Sequence, residues 1–515
     1  MDEARRIRGL DYVQRVQNRN SLMRIVWCPT GRDFWFDWAA KMQSESLAKI
    51  IIWLGDDRHA KKAKKKLPGA KVLSLNARRW HNHTVPQTSP AQCGKSQLWL
   101  ANGWYQIRDI AIKLTDRDNK EGQISPLKSM AYLHEVIFWT VSEIEKLRPG
   151  AILLAEAAHS TRQYVLQAVA RVMGVKVLRL LSWQILPGLE LRASDEGPRE
   201  IVDQGLDART TFRVSAFSEV DAYIEKFKHG DYGFEPRYMK IQSGVAHASK
   251  AWLKSSQMRR VFSDLRLRSA NYRKRSTALK ALIYAQSVIG QTQTFGTKPY
   301  IYFPLYYEPE QTKRPEGAMY REQLQALALL RSIVPDEMET VVKEHPSTHN
   351  HKMLRHFGRH PRHYKALTRI ASLCLLPSTT PSQQLPSGCV AVATITGTAA
   401  LEGAILDKPA LYVGNPCYQD LPNTLWYDHK LTWEHIFESS NSSSEHIREW
   451  LTATLTWHVT PGTINLSNES YFSNWYTNNT FRAAKFEGFF NTLEKVLLQH
   501  VTEINQKPTL EMNGS

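Results

Sequence analysis

The stretch from Cys389 to Gly414, CVAVATITGTAALEGAILDKPALYVG, indicates the fold of the chain. It begins with an apolar run of strand character, CVAVATITG, continues through a helical pattern to Leu406, and ends in a second apolar run, PALYVG. A strand, a helix and a strand in immediate succession form a βαβ unit, whose two strands lie parallel in one sheet. This stretch therefore predicts a parallel, doubly wound sheet in the second half of the chain.

Further apolar runs extend the same alternation toward the N-terminus. In the second half they are Pro299–Leu305, Met338–Pro346 and Ala371–Pro377, with a helical pattern over Tyr320–Ile333. In the first half they are Met23–Cys28, Lys49–Gly55, Lys71–Asn76, Gly150–Ser160 and Val175–Ser182, with helical patterns over Asp33–Gln43, Pro126–Leu147 and Thr161–Met173. Strands that alternate with helices in this way indicate a second parallel sheet.

We predict an α/β protein with two Rossmann-like, doubly wound domains. Residues 1–190 form the first domain and residues 296–480 the second. Residues 191–295 have a helical, basic pattern and connect the two, and residues 481–515 form a C-terminal helix and tail. Doubly wound sheets bind ligands in the crevice outside the carboxyl ends of their strands, so functional residues are expected directly after strands.

The composition excludes some classes of protein and leaves others open. Of the 515 residues, 42% are hydrophobic and 23% charged, as in globular proteins and unlike disordered or fibrous ones. The formal net charge of +18 predicts attraction to polyanions, such as nucleic acid, an anionic membrane surface or a phosphorylated substrate. No run of 18 apolar residues occurs, the first residues are charged, and the five cysteines are scattered, so we expect a cytoplasmic protein with free thiols.

Polar and small residues follow two of the predicted strands in the second half. They are Lys343, His345, Pro346 and Ser347 after one strand, and Thr396, Gly397, Thr398 and Glu402 after the other. A lysine, a histidine and a glycine at the start of a helix suit the phosphates of a nucleotide, and a carboxylate suits its ribose. We therefore predict one nucleotide site lined by both sets. The alternative interpretation is an ordinary polar strand end and a helix N-cap.

Three further carboxylates and imidazoles are candidate catalytic groups. Glu310 follows the run Pro299–Leu305 and is expected at the same edge, for positioning or catalysis. Glu156 and His159 follow the apolar core of Gly150–Ser160, where a carboxylate or an imidazole can deprotonate an acceptor hydroxyl. For His159, a structural hydrogen bond at a helix start is the alternative.

Two other positions in the first half are candidates for binding. Gly31 lies in a Pro-Thr-Gly turn after the first predicted strand and is a candidate on the acceptor side. Asp56 and Asp57 follow the second strand, and a paired acidic motif can hold magnesium. A solvated turn is the preferred interpretation of this pair, so we expect neither a metal nor a cofactor.

The segment between Lys250 and Lys280 is the most basic part of the chain. Eight lysine and arginine residues lie inside it, and Asp264 is the one acidic residue that opposes them. One interpretation is a solvated helix face, and the other is a docking surface for anionic lipid.

Several motifs resemble those of bacterial capsular polysaccharide biosynthesis proteins. The run YIYFPLYYEPE, Tyr300 to Glu310, is similar to the family's stretch yfpLhyqPE. VVKEHPS, ATITGTAALEGAILDKPALYVG and Tyr418 follow in the family's order, so the resemblance is strong over about residues 298–420. LTDRDN and ILLAEAAHSTRQYVLQAVARVMGVKVLRL resemble its acceptor-side half, with His159 at the place of the family's Pro-His histidine, although Ala158 precedes it.

This resemblance implies a fold and an activity. The family's members are glycosyltransferases of the GT-B type, including transferases of 3-deoxy-octulosonic acid (Kdo) from a CMP-activated donor. The resemblance implies two domains facing across a cleft, a nucleotide sugar on the second and an acid/base group from the first. GT-B sialyltransferases share the His-Pro motif and use it for the CMP group, so a CMP donor is favoured. We therefore expect a metal-independent transferase, peripheral on the inner face of the inner membrane, that extends a surface polysaccharide or glycolipid.

Three alternatives stay open from the sequence. The donor can be a UDP or GDP sugar, because related folds use both. The chain can be a non-catalytic capsule assembly or export partner that keeps the fold. A nucleic-acid-binding protein is favoured by charge alone, and since the basic segment has no recognisable nucleic-acid-binding module, we expect no nucleic acid as partner.

Overall fold

The structure is a computed structural model, and it describes residues 23–29, 34–45, 48–55, 59–74, 104–118, 126–155, 158, 160–183, 188–192, 220–225, 227–229, 287, 298–307, 317, 320, 322–345, 348, 359–378, 380–382, 384–427, 430–438, 444–457 and 460–461. In the first half the strands are β1 (Met23–Cys28), β2 (Ala48–Gly55), β3 (Lys71–Ser74), β4 (Ala151–Leu154), β5 (Lys176–Trp183) and β6 (Gly188–Arg192). The helices there are α1 (Phe34–Ser44), α2 (Ala60–Lys66), α3 (Trp104–Asp118), α4 (Pro126–Leu147) and α5 (Thr161–Val172).

The second half continues the alternation of strands and helices. Its strands are β7 (Tyr300–Pro304), β8 (Glu339–Lys343), β9 (Leu373–Leu376), β10 (Ala391–Thr394), β11 (Ala410–Tyr412), β12 (Thr424–Trp426) and β13 (Thr460–Pro461). Its helices are α6 (Gln323–Ile333), α7 (Pro361–Leu367), α8 (Gln384–Gly388), α9 (Ala399–Ile405), α10 (Trp433–Glu438) and α11 (Ser444–Trp457).

The first sheet has the order β13-β6-β5-β4-β1-β2-β3. Strands β1 to β5 pair in parallel, whereas β6 pairs antiparallel with β5 and with β13. One face of the sheet packs against α1 through a tryptophan-rich layer. In this layer the ring centroid of Trp27 from β1 lies 5.1 Å from that of Trp35 from α1. The other face packs against α3, α4 and α5, so the central strands are buried on both sides.

The second sheet has the order β12-β11-β10-β7-β8-β9, and all six strands are parallel. The chain runs outward from β7 through β8 to β9, then crosses over to β10 and runs outward on the other side. Side chains alternate between the faces: Tyr302 and Val392 pack against α9, and Phe303 and Ala393 pack against α6. The point where the winding reverses therefore lies between β7 and β10, and ligands bind at such points in doubly wound sheets.

These two sheets confirm the predicted α/β class, with two doubly wound, mainly parallel sheets. Two features differ from the sequence-based boundaries. The short strand β13 pairs with β6, so the chain returns to the first sheet after completing the second. Helix α3 lies in a polar and aromatic stretch where no element was predicted.

Two predicted segments lie largely or wholly outside the described residues. Of the connecting region 191–295, the described part is small and residues 220–225 are helical. The basic segment and the C-terminal region 481–515 lie outside the described residues. Across the part of the chain that the structure does describe, no helix combines the length and the hydropathy needed to cross a membrane.

Candidate functional site

The candidate site lies where β7, β8 and β10 end, beside the reversal of winding in the second sheet. Tyr306 lies two residues after β7, His345 two residues after β8, and Gly397 three residues after β10. Because the three strands are parallel neighbours, their carboxyl ends meet at one edge of the sheet. The two sets of residues predicted to bind a nucleotide therefore share that edge.

The segment Ile395–Thr398, called the Gly397 loop below, is held by hydroxyl groups from two directions. The backbone N–H of Thr396 donates to the Tyr306 hydroxyl at 2.6 Å, and the N–H of Gly397 donates to Thr394 Oγ1 at 3.1 Å. The Tyr418 hydroxyl donates to the Gly397 carbonyl from the other direction. A Cβ at Gly397 would lie 2.8 Å from the Tyr306 oxygen, so a larger residue would have to displace that hydroxyl.

The end of β8 is anchored by a buried carboxylate, Glu344. Its side chain is 1% exposed and forms an ion pair with Arg359 at 2.6 Å. It also accepts hydrogen bonds from the Tyr364 hydroxyl at 2.7 Å, the Thr348 hydroxyl at 3.0 Å and the backbone N–H of His345 at 2.7 Å. All of these bonds fix the chain where His345 leaves the strand.

His345 is half-buried at the end of β8. Its ring lies 6.1 Å from that of Tyr307, which follows β7. Burial lowers the pKa of His345 to about 4, and the charges of Lys343 and Arg359 act in the same direction, against that of Glu344. The imidazole is therefore neutral at pH 7 and can both donate and accept a hydrogen bond.

Lys343 and Glu402 belong to a polar cluster on the face covered by α9. Lys343 is 4% exposed, and its ammonium donates to Ser382 Oγ at 2.7 Å. Thr398 Oγ1 donates to Glu402 at 3.0 Å and does not cap α9. Burial raises the pKa of Glu402, although the Thr398 hydroxyl and the charge of Lys343 partly oppose that shift. Lys343 therefore influences this edge mainly through its field and through Ser382.

Several candidate residues lie outside the described part of the chain. They are Glu156, His159, Gly31, Glu310, Pro346, Ser347, Asp56 and Asp57. The strands that Gly31 and Glu156 follow, β1 and β4, are neighbours, and the Ala155 N–H donates to the Cys28 carbonyl at 3.0 Å. The roles of these residues remain predictions. Among the residues that are described, no group of three or more His, Cys, Asp or Glu could hold a metal ion.

Three residues of the site were missed by sequence reasoning: Tyr306, Glu344 and Arg359. Tyr306 stands in an apolar aromatic run, which indicates a strand and not a contact with a distant loop. Glu344 lies between Lys343 and His345 and was treated as part of that polar strand end. Arg359 is 15 residues from Glu344, and no spacing rule links an ion pair across such a distance.

Comparisons with known proteins give structural likeness only. No family model and no curated protein matches the chain. A beta Kdo 2,7 transferase, Thermosulfurimonas dismutans KpsC, is similar over 62% of this chain and 80% of its own, with 14% identity and a TM-score of 0.27. UDP-GlcNAc 2-epimerase from Neisseria meningitidis is similar over 93% of this chain and 100% of its own, with 11% identity and a TM-score of 0.20. Likenesses of this strength do not assign an activity to the chain.

Proposed function

We propose that the chain is a glycosyltransferase whose nucleotide-activated donor binds at the carboxyl edge of the second sheet. The observation that carries the proposal is that His345 and the Gly397 loop follow strands whose carboxyl ends share one edge of the sheet, beside the reversal of winding between β7 and β10. Nucleotides bind in doubly wound sheets at the carboxyl edge, beside such a reversal of winding. The motifs shared with capsular polysaccharide proteins favour a CMP sugar such as CMP-Kdo, and a surface polysaccharide or glycolipid as acceptor.

Each residue of the site has a proposed part in binding. The neutral imidazole of His345 hydrogen-bonds a phosphate or base, and Glu402 accepts from the ribose. Thr396 and Thr398 offer hydroxyl groups to the phosphate. Lys343 lowers the cost of the added negative charge through its field.

The transfer needs a base and a stabilised leaving group. An acceptor oxygen attacks the anomeric carbon of the donor, and the bond from that carbon to the phosphate oxygen breaks. The acceptor proton passes to Glu156, His159 or Glu310, and the nucleotide leaves with its negative charge. Hydrogen bonds from the second sheet to the departing phosphate stabilise that charge as it develops.

A panel of nucleotides tests the proposal directly. Thermal unfolding is followed with CMP, UDP and GDP, because a ligand that binds the native state alone raises the midpoint by mass action. We expect one nucleotide, with CMP favoured, to raise the midpoint, and His345→Ala to weaken its binding about tenfold or more, as expected for a lost hydrogen bond to a charged group. A chain that binds polysaccharide but none of the three nucleotides would instead be the non-catalytic capsule partner.

The basic segment between Lys250 and Lys280 is proposed to hold the enzyme on anionic lipid at the membrane. Basic side chains near such a surface contribute about 1 kcal/mol each. The variant reverses the charges of Arg259, Arg260, Arg273, Lys274 and Arg275, and the matched control reverses those of the five lysines of α2, namely Lys61, Lys62, Lys64, Lys65 and Lys66. We expect co-sedimentation with anionic liposomes to be lost in the first and kept in the second. The opposite pattern would place the docking surface on α2.

A further inference from the structure

Tyr306 contacts both halves of the candidate donor site. Its hydroxyl lies 2.7 Å from Thr394 Oγ1 and accepts the N–H of Thr396, so the side chain crosses from the end of β7 to the loop after β10. It is 8% exposed, and burial raises the pKa of its hydroxyl, which is therefore protonated at neutral pH. A protonated hydroxyl can donate to Thr394 while it accepts from Thr396.

The backbone of Tyr306 is held by the network around Glu344. Arg359 Nη2 donates to the Tyr306 carbonyl at 2.6 Å and to Glu344 Oε1 at 3.0 Å. The Tyr306 N–H donates to Gln323 Oε1 at 2.8 Å. Because the same Glu344 oxygen accepts the N–H of His345, an unbroken series of contacts joins His345 to the Gly397 loop.

The loops after β8 and β10 are not direct neighbours, because strand β7 separates the two strands in the sheet. Tyr306 follows that intervening strand and therefore stands between the two loops. Gly397 has no side chain to hold it in place. Its N–H donates to Thr394 Oγ1, and its carbonyl accepts from the Tyr418 hydroxyl. The distance between His345 and the Gly397 loop therefore depends on how firmly Tyr306 is held.

We propose that Tyr306 is a positioning residue that sets the Gly397 loop relative to His345 before the nucleotide arrives. This inference rests on the proposed function, because it assigns both loops to one nucleotide. A loop that is ordered in advance pays less conformational entropy on binding, so its loss weakens binding without removing any contact to the ligand.

The test compares Tyr306→Phe with Tyr300→Phe, a control from the start of the preceding strand. Each variant removes one buried tyrosine hydroxyl and keeps the ring; the Tyr300 hydroxyl donates to the Leu385 carbonyl at 3.0 Å, away from both loops. We expect both variants to lower the unfolding temperature by similar amounts. We expect only Tyr306→Phe to weaken affinity for the best of CMP, UDP and GDP, by about five- to tenfold, as for one lost hydrogen bond.

Hydrogen exchange measures the loop itself and needs no nucleotide. The amides of residues 395–398 should exchange about tenfold faster in Tyr306→Phe than in Tyr300→Phe, since the Thr396 N–H loses its acceptor. Thr394→Val should also speed exchange in this loop, because Thr394 Oγ1 contacts the Tyr306 hydroxyl and accepts the Gly397 N–H.

The outcomes separate this inference from the proposed function. Equal exchange and equal nucleotide affinity in the two tyrosine variants would overturn the positioning role. Faster exchange with unchanged affinity in Tyr306→Phe would also overturn it, since the loop would move without consequence for binding. If the unaltered protein binds none of the three nucleotides, the proposed function fails and the nucleotide role of Tyr306 fails with it, whatever the exchange rates.

Discussion

At the scale of single residues, burial decides what His345 can do. The sequence placed a lysine and a histidine together and favoured attraction to phosphate by charge. In the structure Lys343 is directed to Ser382, and the pKa of His345 is lowered to about 4, mainly by burial. The histidine therefore acts near neutral pH as an uncharged hydrogen-bonding group. Its contribution to binding depends on geometry more than on net charge.

This lowered pKa predicts a pH dependence of stability. Between pH 6.5 and pH 4 the unfolded chain protonates this histidine while the folded chain does not, so stability falls as the pH is lowered. Each pKa unit corresponds to about 1.4 kcal/mol. We expect His345→Gln to flatten the pH dependence of the free energy of unfolding in that window, measured by urea denaturation. Identical slopes for the variant and the unaltered protein would show that His345 titrates normally.

At the scale of elements, the helices and strands were predicted better than their ends. Helix α4 begins and ends at the predicted residues, because its apolar periodicity is long and its flanks carry proline. The run Cys389–Gly397 was predicted as one strand, yet β10 ends at Thr394. Its last residues turn away because Tyr306 and Tyr418 hold the Gly397 loop, and such distant contacts leave no periodic signal.

The same limit explains helix α3 and the ion pair of Glu344. Ile107, Ile110, Ala111 and Leu114 have helical spacing, but the polar and aromatic neighbourhood obscured it. Two partners of Glu344 are Arg359, two residues before α7, and Tyr364 within that helix. Local sequence predicts which elements form, whereas the buried polar contacts that shape the site depend on tertiary packing.

Breaking the Glu344–Arg359 pair should destabilise the second domain strongly. Glu344→Ala leaves a guanidinium that is 2% exposed without its carboxylate, which typically costs about 3–5 kcal/mol. The control, Asp336→Ala, removes a fully exposed carboxylate that pairs with Arg331, and it should cost less than about 1 kcal/mol. Glu344→Leu combined with Arg359→Met should recover part of the loss. Denaturant unfolding measures all of these, and equal effects of the two single variants would contradict the prediction.

At the scale of the whole molecule, a buried arginine of the first sheet contacts the second half of the chain. Arg192 of β6 pairs with Glu190 at 2.6 Å, and both side chains are at most 5% exposed. The same guanidinium donates to the carbonyl of Pro416 at 3.5 Å, two residues before Tyr418, which binds the Gly397 loop. A second contact between the halves, Lys113 with Glu322, is partly exposed.

These two contacts should differ sharply in their contribution to stability. Arg192→Met removes the arginine from a buried ion pair, and we expect a loss of about 3–5 kcal/mol. Lys113→Met removes a partly exposed pair between the same halves and should cost less than about 1 kcal/mol. Because Pro416 leads to the Gly397 loop, Arg192→Met should also weaken nucleotide binding at temperatures where it stays folded. Calorimetric unfolding and titration with the best nucleotide measure both effects. If Lys113→Met proves the more damaging variant, the halves are joined mainly through α3 and α6, and Arg192 serves only the first sheet.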